Sequence, residues 1–164
     1  EAVAGIVRTL DGLPLALELA ASRLRSLTPD AVFQRLGNQL LATQAADRPE
    51  RQQTMVNTIG WSYDLLDAAN QQLFEQLSVF SGTFGLDEAE AVCRSETVIL
   101  DGISELVEQS LVRQVSASGS LRFRMLTVIR EFAYAALIAR GQSDAVLARL
   151  ERTNKVATAQ QQAA

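Results

Sequence analysis

ILDGISELVEQSLVRQVSASGSLRFRM, residues 99–125, is the stretch in which the apolar period changes from that of a helix to that of a strand. Its first part has apolar residues at helical spacing, which predicts a helix from about Thr97 to Gln109. After a turn at 116–120, apolar residues alternate with arginines, which predicts a two-stranded hairpin with one apolar and one basic face. The helix residues expected to face inward are Ile99, Leu100, Ile103, Leu106 and Val107. The apolar face of the hairpin is formed by Leu121, Phe123 and Met125.

Helices on both sides of this stretch complete a familiar order of elements. Predicted helices begin near Thr54, after a cap at Asp67, and at Leu86, and an amphipathic helix containing Ile129 follows the hairpin. Helices, a β-hairpin and a closing helix form the element order of a winged helix, a helix-turn-helix variant whose wing is the hairpin. We therefore expect a winged-helix domain over about residues 50–140.

The N-terminal part is predicted to be a small helical bundle. Asp11-Gly12 breaks a first helical pattern, and Pro14 stands where a first helical residue loses no hydrogen bond. Another helix start lies at 28–30, and the polar stretch 43–53 is the best linker candidate. The expected fold is mainly α, with a helical bundle over 1–45, a winged-helix domain with one β-hairpin over 50–140, and a C-terminal helix with a frayed tail over 141–164.

Composition limits the kinds of protein to which the chain can belong. The net charge is −4, there is no histidine, and Cys93 is the single cysteine, which excludes an internal disulfide. No apolar run approaches the roughly 18 residues that a membrane span needs. The chain begins at Glu1, within an apolar-periodic stretch and without a signal segment. We therefore expect a cytoplasmic piece of a longer protein, with no membrane partner.

The residues needed for catalysis are missing from this sequence. A nucleotide-hydrolysing site needs a glycine-rich loop that ends in Lys-Ser or Lys-Thr. The single lysine, Lys155, lies near the C-terminus, and the serines have no histidine to activate them. We expect that this chain alone is not an enzyme and has no catalytic or metal-binding residues.

DNA binding is the main alternative, because many winged helices bind DNA with the second helix of the motif. The predicted reading helix presents Asp101, Glu105 and Glu108 and contains neither arginine nor lysine, which disfavours specific reading of bases. The wing is basic, with arginines that leave contact with a nucleic-acid backbone open. These arginines are Arg113, Arg122 and Arg124.

Three short motifs, in order, resemble a known family. The stretch 10–17, LDGLPLAL, resembles the glycine-x-proline element of the NB-ARC family, within the signal-transduction ATPases with numerous domains. The stretch 61–66, WSYDLL, with apolar residues over 73–80, resembles the start of that family's winged-helix domain. The stretch 125–133, MLTVIREFA, resembles its closing methionine-led motif. The closest similarity is to bacterial ATPase-type transcriptional regulators, and it covers roughly residues 1–140.

The resemblance implies a nucleotide contact that this chain would make only within a longer parent. In the family, the proline of the first motif packs near the adenine, which assigns the adenine side to Gly12, Leu13 and Pro14. ADP or ATP with magnesium would bind the parent, and the fragment alone would hold no cofactor. Where many members have a histidine and an acid in the methionine-led motif, this chain has Leu126 and Thr127.

The resemblance also implies a regulatory function. ADP would hold these helical and winged-helix domains against an upstream nucleotide-binding domain absent from this chain, and ATP would release them, because only differential affinity shifts an equilibrium. The other expected partners are a downstream repeat or sensor domain and, on activation, further copies of the protein. The winged helix would serve as a protein-interaction lever. Two alternatives stay open: a DNA-binding winged-helix transcription regulator, and an interaction scaffold without nucleotide control.

Overall fold

The computed structural model describes residues 1–42, 50–96, 98–117 and 120–162. Within this part, helices and one antiparallel hairpin make up the regular structure, so the mainly α fold class is confirmed. The helices are α1 (Ala2–Thr9), α2 (Pro14–Arg23), α3 (Pro29–Ala42), α4 (Glu50–Asp64), α5 (Ala68–Leu77), α6 (Leu86–Val92), α7 (Ile99–Glu108), α8 (Thr127–Ala139) and α9 (Ser143–Gln162), and the strands are β1 (Arg113–Ala117) and β2 (Ser120–Arg124).

The chain divides into two compact units at a different place from the expected one. The first unit comprises Glu1–Leu66 with Glu108–Leu111, and the second comprises Asp67–Val107 with Val112–Ala164. The expected boundary near residue 50 therefore lies at residue 66, because α4 packs against α2 and α3. Of the expected linker, 43–49 lies outside the described residues, and 50–53 is the first turn of α4, where Glu, Arg and Gln are good helix formers.

The first unit has its core between α1, α2, α3 and α4. Trp61 on α4 is buried in one apolar cluster with residues of the three preceding helices. Close to it, the buried Arg23 donates from Nη2 to the carbonyl oxygen of Ser62 at 2.9 Å, which gives a charged side chain a polar partner inside the unit. The other buried members of the cluster are Ile6, Leu10, Ala16, Ala20, Val32 and Leu36.

The second unit is the winged helix, and its cap and register follow the sequence. Asp67 caps α5 as predicted, because its Oδ1 accepts from the backbone N–H of Asn70 at 2.8 Å. β1 and β2 pair with Arg113 opposite Arg124. A further antiparallel bridge joins Phe84 to Phe123, and it ties the wing to the segment before α6.

The C-terminal segment is more helical than the expected helix with a frayed tail. α9 runs from Ser143 to Gln162, and residues 163–164 lie outside the described part. Val146 near its start is fully buried, whereas the side chains of 154–159 are exposed. The alanines and glutamines of this segment favour helix without needing a packed face.

Candidate functional site

The predicted adenine-side residues form a tight turn between α1 and α2. Gly12 has a φ of +64°, a left-handed conformation that glycine adopts without strain. Its N–H donates to the carbonyl of Val7 at 3.1 Å, and the N–H of Leu13 donates to that of Leu10 at 3.0 Å. Pro14 is then the first residue of α2. The structure therefore brings Gly12, Leu13 and Pro14 together, with Gly12 and Pro14 exposed and Leu13 packed against the core of its unit.

The outward surface of α7 is acidic and partly apolar. Ile103 and Leu106 are buried, as predicted, but Leu100 is 40% exposed, which corrects its expected inward position. Leu100 follows Val98, which is 63% exposed, just before the helix. We define the α7 surface as the exposed apolar and acidic residues between positions 96 and 105: Glu96, Val98, Leu100, Asp101 and Glu105.

One acid of the α7 surface is held by the body of the domain. Glu105 Oε2 accepts from Nδ2 of the buried Asn70 at 2.7 Å, and Asn70 also donates to Asp67 Oδ2 at 3.3 Å. This contact fixes the Glu105 carboxylate against α5. Glu96 and Asp101 form no side-chain hydrogen bond or ion pair with any described residue, so their charges are directed to solvent.

The wing has its arginines on one face. Val115 lies opposite Arg122 and Arg113 lies opposite Arg124, and alternation along each strand places all four on the same face. Phe123 points the other way into the core, where its ring centroid lies 6.0 Å from that of Phe84. We call Arg113, Arg122 and Arg124 the basic wing face, which agrees with the predicted basic side of the hairpin.

The apolar side of the hairpin is buried only in part. Phe123 and Met125 are buried, whereas Leu121, which lies on the same predicted apolar face as Phe123, is 48% exposed. Leu121 pairs with Ser116 close to the tip of the hairpin, away from the bridge between Phe84 and Phe123. The predicted turn at 116–120 includes 118 and 119, which lie outside the described residues.

Two arginines of the basic wing face differ in what they contact. Arg122 Nη2 donates to Glu88 Oε2 at 2.9 Å and to the carbonyl oxygen of Thr83 at 2.8 Å, and its Nε donates to Thr83 Oγ1 at 3.0 Å. The same Glu88 oxygen accepts from the N–H of Gly85 at 2.6 Å, at the start of α6. Arg124 is exposed, and its side chain has no such bond with a described residue. Arg122 is therefore partly structural, and Arg124 is directed to solvent.

A buried polar side chain that the sequence analysis missed positions the segment between α6 and α7. Gln76 on α5 donates from Nε2 to the carbonyl of Arg94 at 2.7 Å and accepts from the N–H of Arg94 at 2.8 Å. Its Oε1 also accepts from Arg149 Nη2 at 3.1 Å. The helical period marks Gln76 only as a polar residue beside an apolar one, so no sequence signal distinguishes it from a solvated glutamine.

A second polar pair holds the end of α8. Glu75 on α5 is buried, and it accepts from Arg140 Nε at 2.5 Å and from Nη2 at 2.7 Å. This two-pronged contact satisfies both carboxylate oxygens, as burial of a charge requires. Arg140 lies at the C-cap of α8, where its charge is also favourable for the helix dipole.

Cys93 lies at the end of α6, and its thiol is inert in this setting. Burial raises the pKa of Cys93 from its ordinary value near 9 to about 12, although the positive charges of Arg149 and Arg94 act in the opposite direction. The pKa of Arg149 is lowered, first by partial burial and then by the neighbouring charge of Arg94. A thiol with a raised pKa is protonated at neutral pH and is a poor nucleophile or metal ligand.

The methionine-led motif lies at the junction of the wing and α8. Met125 is buried, and Leu126 is the N-cap residue of α8 with no side-chain cap bond. Thr127 is exposed at the first position of the helix. Over the described ranges, no three or more His, Cys, Asp or Glu side chains are grouped to hold a metal ion, and no described helix has the length and apolarity to cross a membrane.

Comparison with known proteins agrees with this architecture. Residues 66–138 match the family described as "Winged helix-turn-helix domain". An uncharacterized protein of Mycobacterium tuberculosis is 36% identical over 96% of this chain, which covers 43% of that protein. A protein of the same organism named "Putative HTH-type transcriptional regulator" is 38% identical over 87% of this chain, and a protein of the same name in Mycobacterium bovis shows the same identity.

The similarity concerns only part of each relative. The chain spans 43% of the length of the first relative, and the aligned region is 17% of the second. The matched family begins at residue 66, next to the division between the two units, and it includes α5 to α8 with the wing. Residues 66–138 of this chain therefore have a winged-helix fold and match the winged helix-turn-helix family, and the chain is similar to proteins named as transcriptional regulators.

Proposed function

We propose that this chain is a regulatory segment of a transcriptional regulator and that its winged helix acts by contacting protein. The observation that carries the proposal is the α7 surface, in which exposed apolar residues lie among acids in the place where a DNA reader presents basic or amide side chains. Such a surface repels phosphate and has few base-edge donors. The names of the relatives support a role in transcriptional regulation. The negative charge of the α7 surface supports contact with protein and not with DNA.

DNA binding by the winged helix is a second candidate, and specific observations favour it. The matched domain is of a helix-turn-helix class, relatives bear the name of transcriptional regulators, and Arg124 on the wing is exposed. Phosphate contacts through a basic wing would position a protein on a duplex, whereas sequence would have to be read by α7. The exposed arginine of the wing and the acidic α7 support contact with the DNA phosphate backbone better than they support reading of the bases.

Fluorescence anisotropy with labelled duplexes decides between these two modes. We expect no sequence-dependent binding at about 150 mM salt, because phosphate contacts are screened and α7 adds repulsion. The comparison needs a salt series, since a salt-dependent signal that is equal for all sequences indicates backbone contact alone. Sequence-dependent binding that is lost in Asp101→Ala or Ser104→Ala would show that α7 reads bases and would replace the protein-contact mode.

Nucleotide control is the finer part of the proposal, and it rests on the family resemblance. We propose that Gly12, Leu13 and Pro14 contact the adenine of ADP or ATP in a longer parent that also supplies a phosphate-binding loop and magnesium. The turn geometry supports this, because Pro14 is exposed at the start of α2 and its backbone has no N–H to lose. The chain itself would be non-catalytic, since its sequence has no phosphate-binding loop.

Pro14→Ala tests this nucleotide contact in the longer protein. The substitution should cost the fold little, on the order of 0.4–1 kcal/mol through a freer unfolded chain. Loss of packing on the base should instead increase the rate of ADP release. The measurement pairs thermal melting of the variant 164-residue chain with ADP off-rates in the longer protein. Unchanged off-rates, or a collapse of melting, would make Pro14 a structural proline only.

A further inference from the structure

The winged helix has two exposed surfaces of opposite charge. The α7 surface has three acids and no base. The basic wing face has three arginines, of which Arg122 is already paired with Glu88 and Arg124 is exposed. Both belong to the second unit. Glu96 and Asp101 on the first surface and Arg124 on the second have no side-chain hydrogen bond or ion pair with a described residue. Each surface therefore offers uncompensated charge to a partner.

The apolar residues of the α7 surface are exposed as well. Val98 and Leu100 are 63% and 40% exposed, and they lie among the acids of the same surface. Single exposed apolar residues are ordinary on a protein surface, so the charges of this surface carry the argument and the two apolar residues add to it. The acids determine which partner is attracted, and the apolar residues supply area that water leaves on contact.

Arg124 is the arginine of the basic wing face that is directed to solvent. Because arginine binds carboxylates with two parallel hydrogen bonds, the exposed Arg124 suits a carboxylate of a partner. Glu96 and Asp101 are carboxylates that no described residue of their own chain binds.

We propose that the α7 surface of one copy binds the basic wing face of a second copy of this chain. This inference names a partner for the protein-contact role and rests on that role. The contact joins two different surfaces. Two copies can therefore form a twofold dimer in which each wing contacts the other copy's α7 surface, or several copies can form a linear, head-to-tail assembly. The small number of charged and apolar residues involved places it among weak, transient associations that act when copies are brought together.

Sedimentation equilibrium of the 164-residue chain tests the pairing directly. At about 20 mM salt the weight-average mass should rise with concentration, and at about 500 mM salt the association should weaken at least tenfold, because exposed charges are screened. Asp101→Lys and Arg124→Glu should each weaken the low-salt association by about tenfold or more. An equimolar mixture of these two variants should associate again, because the α7 surface made basic in one variant then meets the wing made acidic in the other.

Matched control variants distinguish the loss of a specific contact from a general effect of the chain's net charge on association. Glu151→Lys and Arg152→Glu alter charge by the same amounts at exposed positions of α9, and they should leave the association within about twofold of the original. Circular dichroism and melting of each variant confirm that the chain is folded. A wild-type chain that stays monomeric to about 1 mM at low salt would overturn the proposal. Controls that act like the test variants, or a mixture that stays monomeric, would overturn it too.

The experiments give different results if self-association is wrong and if the proposed protein-contact function is wrong. If the chain is monomeric and binds no DNA, a second copy is not the partner, while protein contact with another molecule still stands. If sequence-specific DNA binding is found, the protein-contact mode fails whatever the oligomeric state. If Arg124→Glu abolishes binding to duplex DNA and leaves the sedimented mass unchanged, the wing is a nucleic-acid surface and the self-association proposal is overturned.

Discussion

The α7 helix and the wing are the two elements through which a winged helix meets a duplex, and here they carry opposite charges. A basic wing beside a basic or amide-rich helix makes a continuous phosphate-attracting surface. In this chain the wing has that character, whereas α7 has Asp101 and Glu105 on its outward side. The difference teaches that the inward residues of α7, which hold it in the winged-helix fold, do not determine the charge of its outward residues.

The largest loss of stability is expected from a substitution of Phe84, the residue that anchors the wing. Phe84 is fully buried, pairs with Phe123 through its backbone, and stacks on Phe80 with ring centroids 4.7 Å apart. Phe84→Ala should lower the free energy of unfolding by about 3–5 kcal/mol, since it removes a large buried ring and leaves a cavity. Urea unfolding followed by circular dichroism measures the loss.

The exposed Leu121 on the same hairpin supplies the control for that prediction. Leu121→Ala should change the free energy of unfolding by no more than about 0.5 kcal/mol, because its side chain is only partly removed from water. If both substitutions cost the same, the wing is held by general hairpin stability and not by its aromatic anchor. A Phe84→Ala loss below about 1 kcal/mol would have the same meaning.

The buried thiol of Cys93 should lower the free energy of unfolding in alkaline solution. The pKa of Cys93 is about 12 in the folded chain, above its ordinary value near 9. Above pH 9 the unfolded chain therefore releases this proton while the folded chain keeps it, so stability present below pH 9 is lost as the pH rises towards 12. The expected loss is up to about 1.4 kcal/mol for each pH unit within this window.

Cys93→Ala isolates this contribution from other groups that titrate at alkaline pH. Urea unfolding of both proteins at about pH 8, 9 and 10 gives two slopes, and the difference between the slopes belongs to the thiol. The variant should be less stable at the lowest pH because a buried side chain is shortened, and it should lose less stability over the last step. Equal slopes would mean that Cys93 is accessible to water.

The hairpin, α7 and the boundary between the units are predictable from the sequence to different extents, for physical reasons. The hairpin and its basic face follow from a change of period, and the alternation about Phe123 indicates which face is buried. The helix α7 is predicted in place, but Leu100 is wrongly assigned inward because period alone does not show where an apolar stripe ends. The boundary at residue 66 is not predicted, because polar residues 50–53 suit a helix start as well as a linker.

The positions that organise the site are harder to predict than the fold. Gln76 and Glu75 are polar residues on a helix whose neighbours are apolar, and only the three-dimensional structure shows that α9 and the end of α8 give them partners. The turn at Gly12 follows from its sequence, and its positive φ agrees with that prediction. Its nucleotide role stays a prediction, since the phosphate-binding groups that such a role needs lie in no part of this sequence.

A smaller effect should separate the two acids of the α7 surface. Glu105→Ala removes one of the two acceptors of the Asn70 amide, the other being Asp67 Oδ2, so it should cost about 1 kcal/mol, the value expected for the loss of one hydrogen bond. Asp101→Ala should cost no more than about 0.5 kcal/mol, although Asp101 also favours the N-terminus of the helix dipole. Urea unfolding of both variants in the same buffer makes the comparison. Equal costs would remove the distinction between a structural acid and a contact acid on this helix.

The smallest effect should separate two arginines of the wing. Arg122→Ala removes contacts with Glu88 and Thr83, and it should cost about 0.5–1 kcal/mol, because both members of the ion pair are partly in water. Arg124→Ala should be neutral within about 0.3 kcal/mol, since no described residue binds its side chain and the loss of one like charge opposite Arg113 is favourable. The measurement is urea unfolding at about 50 mM and 500 mM salt, where the Arg122 effect should shrink as its ion pair is screened. A stabilising Arg124→Ala would strengthen the argument that the basic wing face binds an anionic partner, whereas a cost equal to that of Arg122→Ala would show that both arginines serve the fold.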